Sequence, residues 1–189
     1  SSDTDVEDTE DTEPAPCEWP VGPYNRGVGD AMQSVSWQGF GPGETVERRI
    51  DLEEFFDCDG RLGGIDALLL INSQFGCSSC YQEAEGLDQR LAQWETQGYR
   101  VEVLTLLLDK PDGSMPSDIG ALREWMGRFP TARSHVVTDP TYSIVPLDAT
   151  SIGTPLQVIV DPETMRIVHR HQGYESSYSA LMSFLSSGG

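Results

Sequence analysis

The sequence is poor in basic residues: 12 Lys and Arg stand against 31 Asp and Glu, for a formal net charge of −19 at pH 7. A surface of that sign repels phosphate backbones, which argues against nucleic acid and against anionic membrane surfaces as partners. Long hydrophobic runs are also lacking, because the longest apolar stretches have strand length rather than the roughly 20 residues that span a bilayer. The 189-residue length and 38% hydrophobic content suit one globular domain plus a tail.

The tail is the acidic N-terminal segment. Its first 13 residues carry seven acidic side chains, no basic one and a single apolar side chain, Val6. Such a segment cannot bury enough surface to offset its ordering entropy, so residues 1–16 are predicted to form a disordered acidic tether. Residues 17–189 are predicted to form one domain, with 17–64 as an extension and first strands and 65–189 as the core. A tether of this kind suits a mature lipoprotein whose lipidated Cys would precede Ser1, so an extracytoplasmic, periplasmic or cell-surface location is expected, with a lipid anchor as a hypothesis.

Cysteine is scarce too, with Cys17, Cys58, Cys77 and Cys80 as its four positions. The C-x-x-C spacing of the last two fits a redox pair or half of a zinc site. A structural zinc site usually takes four Cys or His ligands, often as two close pairs, and the other cysteines and the three histidines supply no second pair. We therefore expect no metal and no cofactor. Cys17 and Cys58 are predicted to form a structural disulfide in an exported protein, with two free buried thiols as the alternative.

Hydrophobic periodicity predicts the order of elements as β-α-β-α-β and then β-β-α. Ser117 is predicted to cap the second helix and Pro130 to end it. Parallel strands with helical crossovers, followed by a hairpin and a last helix, predict an α/β fold with a mixed sheet flanked by helices and covered on both faces. The predicted strands cover 34–38, 45–50, 65–71, 99–108, 135–138, 157–160 and 166–171, with a short helical turn at 52–56 and helices from the C-x-x-C to about 97, from 117 to 129 and from 178 to 185.

Cys77 falls at the start of a predicted helix, directly after a buried strand. Free backbone N–H groups and the positive end of the helix dipole converge there, so its pKa should fall below the roughly 8.5 of a free thiol. Cys77 is therefore the candidate nucleophile, and Cys80, one turn deeper on the same face, is the candidate resolving thiol. Glu83, three residues further on, is either a proton relay for Cys80 or a solvated helix side chain.

The tripeptide Gly153-Thr154-Pro155 comes directly before the strand predicted at 157–160. Proline at a strand start cannot donate to the ladder. A cis bond before Pro155 would present the Thr154 backbone for pairing with an incoming peptide, whereas a trans bond would make an ordinary turn. The C-x-x-C upstream, at a strand–helix junction, favours the cis form.

From about residue 50 onward, this constellation resembles the thioredoxin superfamily, and more closely the TlpA-like and redoxin branch of exported bacterial thiol-disulfide oxidoreductases. The resemblance implies a thioredoxin-like fold in which Cys77 attacks, Cys80 resolves and Pro155 is the cis residue beside them. Glu83 matches the acidic residue of this branch in the Cys80-Tyr81-Gln82-Glu83 register. The resemblance further implies that Gly76, Thr154 and Pro155 bind the substrate, and that the partners are proteins with thiols or disulfides.

The chain also departs from that pattern. Phe75-Gly76 stands where the family usually has Trp before the first Cys, and both residues inside the pair are Ser where Pro is common; Tyr81 or Trp37 could supply an aromatic side chain. Three alternatives stay open. A peroxiredoxin-like thiol peroxidase would have Thr or Ser where Gln74 stands, and a copper-binding module would have a wider Cys spacing and a partner His. The third is a structural module without redox turnover, in which both cysteine pairs form permanent structural disulfides.

Overall fold

The computed structural model describes residues 17–188, which form seven strands, three α-helices and one short 3-10 helix. The order from β3 to α3 confirms the predicted β-α-β-α-β, β-β-α order. The predicted acidic tether at residues 1–16 lies outside the described residues. The strands are β1 (Ser36–Phe40), β2 (Arg48–Asp51), β3 (Ala67–Ser73), β4 (Val101–Leu107), β5 (His135–Thr138), β6 (Leu156–Asp161) and β7 (Arg166–Gln172); the helices are the 3-10 helix (Leu52–Phe55), α1 (Ser78–Thr96), α2 (Ile119–Arg128) and α3 (Ser179–Ser187).

The strands form one mixed sheet in the order β2-β1-β5-β4-β3-β6-β7. β3, β4 and β5 run parallel, while β6 pairs antiparallel with both β3 and β7. Every residue of β3 is buried, as its continuous apolar run requires of a strand with neighbours on both edges and layers on both faces. Because β3 and β6 are antiparallel, the carboxyl end of β3 and the start of β6 lie next to each other at the same end of the strands.

The three α-helices cover one face of the sheet. Ala67, Leu69 and Ile71 of β3 pack against α1 and α3 on this face. The alternate residues Leu68 and Leu70 point to the other face, which has no α-helix packed on it within residues 17–188. That face is covered by the extension before β1, the 3-10 helix and the connection between β5 and β6. Both faces are covered as predicted, but only one of them by α-helices.

Trp37, one of two candidates for an aromatic side chain near the cysteines, belongs to this second layer. Its ring is buried in the cluster that includes Met32, and its indole N–H donates to Ser143 Oγ at 3.2 Å. The alternation of side chains along β1 points Trp37 to the face away from α1. Trp37 therefore packs in the core and does not lie next to Cys77.

The extension before β1 runs along β7. The backbone N–H groups of Gly29 and Met32 donate to the carbonyl oxygens of Ile167 and Met165, both at 2.8 Å. A disulfide joins Cys17, at the start of the extension, to Cys58, and their Cα atoms lie 5.9 Å apart. None of the helices within the described range is long and apolar enough to cross a bilayer.

The prediction that Ser117 caps α2 is wrong. Asp118 is the N-cap, and its side chain accepts the backbone N–H of Ala121 at 2.9 Å. Ser117 is buried and donates its hydroxyl to the carbonyl of Leu107 at 2.5 Å instead. Both residue types are good caps, so composition alone could not choose between two neighbours.

Candidate redox site

Cys77 is the N-cap residue of α1 and follows the loop that leaves β3. Its backbone is extended, with φ −90° and ψ 106°, and the backbone N–H of Cys80 donates to its sulfur at an N···S distance of 3.2 Å. The first turn of α1 holds no acidic side chain, despite the formal net charge of −19 on the chain. The positive end of the helix therefore acts on the Cys77 sulfur without opposing charge from that turn.

Cys77 and Cys80 are joined by a disulfide, with their Cα atoms 5.3 Å apart. The two sulfurs differ in access: Cys77 is half-buried, whereas Cys80 is 0% exposed. Cys80 packs in an apolar cluster with Ala84 of α1, Leu107 of β4 and residues of α2. A second protein would therefore meet Cys77 first.

Gly76, directly before Cys77, explains the absence of a tryptophan there. Its φ of +73° lies in the left-handed region, which glycine adopts at no steric cost and which a tryptophan would adopt only with strain. Its N–H donates to the Tyr81 hydroxyl at 2.8 Å. Phe75 is buried edge-on against Trp125, with ring centroids 5.4 Å apart. Tyr81, unlike Trp37, supplies an aromatic side chain next to Cys77.

The Thr154–Pro155 peptide bond is cis. Leu156 pairs with Asn72 of β3, which places Pro155 beside the loop between β3 and α1. The Thr154 carbonyl oxygen lies 3.5 Å from Cys77 Sγ and accepts the Ser79 hydroxyl at 3.4 Å. The fold thus brings together two motifs that are 77 residues apart in sequence.

Glu83 is 2% exposed, so it is not a solvated helix side chain. Its Oε1 accepts hydrogen bonds from the Gln157 side-chain amide and from the Tyr178 hydroxyl, the latter at 3.0 Å. Burial raises the pKa of Glu83 from its usual 4.5 to about 7, while both hydrogen bonds act in the opposite direction. A carboxyl with a pKa near 7 is well matched to accepting and releasing a proton at neutral pH.

Sequence reasoning missed Gln157, Tyr178 and Asp109, which all support this site. Gln157 carried a signal, because it is the polar residue within an otherwise apolar buried strand just after Pro155. Asp109 follows β4 and accepts the N–H of Phe75 at 2.8 Å. The parallel pairing of β3 and β4 brings the residues that follow the two strands next to each other. Tyr178 is 95 residues from Glu83 and gave no signal.

Within residues 17–188, no group of three or more His, Cys, Asp or Glu side chains is arranged to hold a metal ion. The disulfide of Cys77 and Cys80 uses both sulfurs of the C-x-x-C in this structure.

No family model matches the sequence, and no curated protein matches it closely. Solved structures do match. A protein from Chlorobium tepidum named as a thiol:disulfide interchange protein, DsbE, is similar with 18% identity and a TM-score of 0.60, over 86% of this chain and 97% of that chain. The thioredoxin domain of a thiol-disulfide oxidoreductase from Bacteroides vulgatus is similar with 15% identity and a TM-score of 0.59, over 84% and 98%.

A third similar structure is the reduced 2-Cys peroxiredoxin of Plasmodium vivax, with 17% identity and a TM-score of 0.55 over 85% of this chain and 95% of that chain. At such identities the likeness concerns the fold. Together with the sheet order, it confirms the predicted thioredoxin-like fold.

Proposed function

We propose that this protein is a thiol-disulfide oxidoreductase that exchanges disulfides with partner proteins through Cys77 and Cys80. The observation that carries the proposal is the asymmetry of the pair. Cys77 is half-buried at the N-terminus of α1, and Cys80 is fully buried behind it. A permanent structural disulfide needs no such asymmetry, and one across so short a loop adds less stability than one that closes a long loop.

The exchange runs through a mixed disulfide. With the pair reduced, the Cys77 thiolate attacks one sulfur of a partner disulfide, a new S–S bond forms, and the partner's other sulfur leaves as a thiolate that takes up a proton. Cys80 then loses its proton and attacks the Cys77 sulfur, which releases the second partner thiol. The partner gains two electrons as its disulfide becomes two thiols, and the Cys77–Cys80 pair loses the same two electrons. The reverse sequence oxidises a dithiol partner.

The partner chain is proposed to bind across Gly76, Thr154 and Pro155. The Thr154 carbonyl lies beside Cys77, so an extended peptide that pairs with the Thr154 backbone would bring its own sulfur to the Cys77 sulfur. Gly76 has open space where a side chain would stand, which leaves room for that peptide.

Glu83 is proposed to accept the proton of Cys80. It lies one helical turn beyond Cys80 on α1, is buried, and has a pKa raised to about 7 by that burial. A buried thiol loses its proton reluctantly because the thiolate is poorly solvated. A nearby carboxylate with a matched pKa removes that obstacle.

An extracytoplasmic location is part of the proposal. Both cysteine pairs within the described residues are disulfide-bonded, and stable disulfides belong to oxidising compartments. The lipid anchor before Ser1 stays a prediction.

Paired serine variants test the proposal. Reduced Cys80→Ser protein, mixed with a disulfide-bonded peptide, should accumulate a covalent complex through Cys77, because the resolving thiol is missing. Cys77→Ser, the matched control, should form little or none. Equal trapping by both variants would contradict the assigned roles, and no trapping by either would contradict exchange with proteins. Consumption of hydrogen peroxide by the wild type, measured alongside, separates exchange from peroxidase activity on the same fold.

A further inference from the structure

We infer that Tyr178, at the start of α3, is a positioning residue that holds the Glu83 carboxyl in the state in which it accepts a proton. The inference rests on the proposed role of Glu83, and adds a partner from outside the C-x-x-C helix and the cis-proline strand. The juxtaposition that carries it is the Tyr178 hydroxyl, 3.0 Å from Glu83 Oε1, with both side chains buried.

The backbone of Tyr178 is unusual for a tyrosine. Its φ of +48° and ψ of +43° are left-handed, a region that bulky residues rarely adopt. The ring packs edge-on against Trp94 of α1, with centroids 5.1 Å apart, and this contact aims the hydroxyl at Glu83. A glycine would fit the backbone more easily, so the contacts of the side chain account for a tyrosine here.

The hydrogen bond has a defined direction. Burial raises the pKa of Tyr178 above its usual value, so its hydroxyl keeps its proton and donates to Glu83. The Gln157 amide donates to the same oxygen, Oε1. Oε2 of Glu83 is buried and has no hydrogen-bond partner within residues 17–188. Two donors on Oε1 stabilise the carboxylate and leave Oε2 as the atom that takes the proton.

Glu83 accepts hydrogen bonds only from these two neutral donors within the described range. Its proton affinity is therefore set by burial, which raises it, against Gln157 and Tyr178, which lower it. Among the other titratable or charged groups, Arg90 of α1 and Tyr174 before α3 act on Tyr178. His169 and His171 of β7 and Glu175 before α3 line a small pocket together with Tyr178 and Gln157.

Tyr178→Phe tests the inference, because it keeps the ring against Trp94 and removes only the hydroxyl. Tyr174→Phe is the matched control: its ring lies 6.2 Å from that of Tyr178, and its hydroxyl makes no hydrogen bond to Glu83. The Glu83 carboxyl is titrated by ¹³C NMR in the oxidised protein, and the pH profile of mixed-disulfide resolution is measured in the reduced protein.

In Tyr178→Phe, the loss of one donor to a carboxylate should raise the titration midpoint of Glu83 by about one pH unit. The resolution profile should move the same way, with an about fivefold slower rate at pH 7. Tyr174→Phe should leave both unchanged. Gln157→Met, which removes the other donor, should raise the midpoint too. The double variant with Tyr178→Phe should raise it further than Gln157→Met alone, and no further rise would contradict the role of the Tyr178 hydroxyl.

An unchanged Glu83 midpoint in folded Tyr178→Phe protein overturns the inference. An equal rise in the Tyr174→Phe control overturns it too, because that result would assign the effect to packing. The NMR midpoint does not depend on turnover. If the wild type resolves no mixed disulfide while the midpoint moves as expected, the proposed function fails and the contact between Tyr178 and Glu83 stands.

Discussion

Glu83 is buried in the folded chain and solvated in the unfolded one, so its pKa of about 7 against 4.5 links stability to pH. The folded state binds the proton more tightly, so this contribution to stability is fully present below about pH 4.5. It is lost as the pH rises through 7. Over that window the shift corresponds to about 3 kcal/mol of unfolding free energy.

Glu83→Gln isolates this effect, because an amide of the same shape does not titrate. Urea unfolding at pH 4 and pH 8 should show the wild type losing about 3 kcal/mol relative to the variant between the two pH values. A difference between wild type and variant that stays constant with pH would contradict a buried, titrating Glu83.

Short motifs made part of the site predictable at the residue scale. Cys77, Cys80 and Pro155 sit in local patterns whose chemistry depends on neighbours in sequence. Gln157 and Tyr178 reach Glu83 from 74 and 95 residues away, and such contacts follow from packing that no local pattern encodes.

At the scale of elements, the connection between β5 and β6 leads into the cis-proline segment, and two arginines hold it. Arg26, from the extension, donates to the carbonyls of Tyr142 and Val145 at 2.9 and 3.0 Å. Arg170 of β7 donates to the carbonyl of Ile144 at 2.9 Å and to that of Arg26. The extension thereby holds residues 142–145 of the connection that leads to Thr154, where the partner chain is proposed to bind.

Arg26→Ala should release this connection. Hydrogen exchange in residues 142–155 should become about tenfold faster or more, since two charge-assisted hydrogen bonds are lost, and exchange with disulfide peptides should weaken mainly through a higher KM. Arg166→Ala is the matched control, because Arg166 also binds the extension, at the Gly29 carbonyl, without touching this connection. Equal effects of the two variants would contradict the specific role of Arg26.

The predicted elements were most accurate where a pattern had one interpretation. The terminal hairpin falls within one residue of its predicted bounds, whereas β3 (Ala67–Ser73) begins and ends two residues later than the predicted 65–71. The cap of α2 moved by one residue to Asp118, and the layer opposite the α-helices was not predictable, because irregular chain buries its apolar residues without a period.

At the scale of the whole molecule, the Cys17–Cys58 disulfide fastens the extension to the body. It closes a separation of 41 residues, and the chain-entropy model gives roughly 4 kcal/mol for such a loop. The Cys77–Cys80 pair spans three residues and is expected to contribute about 2 kcal/mol or less. We therefore expect Cys17–Cys58 to be the stabilising disulfide, and the proposed function makes Cys77–Cys80 the reactive one.

Double serine variants check that division by urea unfolding. Replacing Cys17 and Cys58 should cost roughly 4 kcal/mol and leave the trapping chemistry at Cys77 intact. Replacing Cys77 and Cys80 should cost less and abolish it. The reverse ranking of stabilities would contradict the assignment of Cys17–Cys58 as the staple.

The thioredoxin-like fold itself was predictable from the order of elements and the two motifs. The route of the extension was not, because segments rich in Gly, Pro and polar residues take their path from the surface they cover. That path joins the Cys17–Cys58 disulfide to the connection between β5 and β6.

The reduction potential of the Cys77–Cys80 pair tests the redox assignment most directly. The protein is equilibrated in glutathione buffers, and the two disulfides are distinguished by mass spectrometry after alkylation. A potential above about −300 mV is predicted for Cys77–Cys80, with Cys17–Cys58 staying oxidised under the same conditions. A Cys77–Cys80 potential far below about −300 mV would show a structural bond and contradict a role in electron transfer.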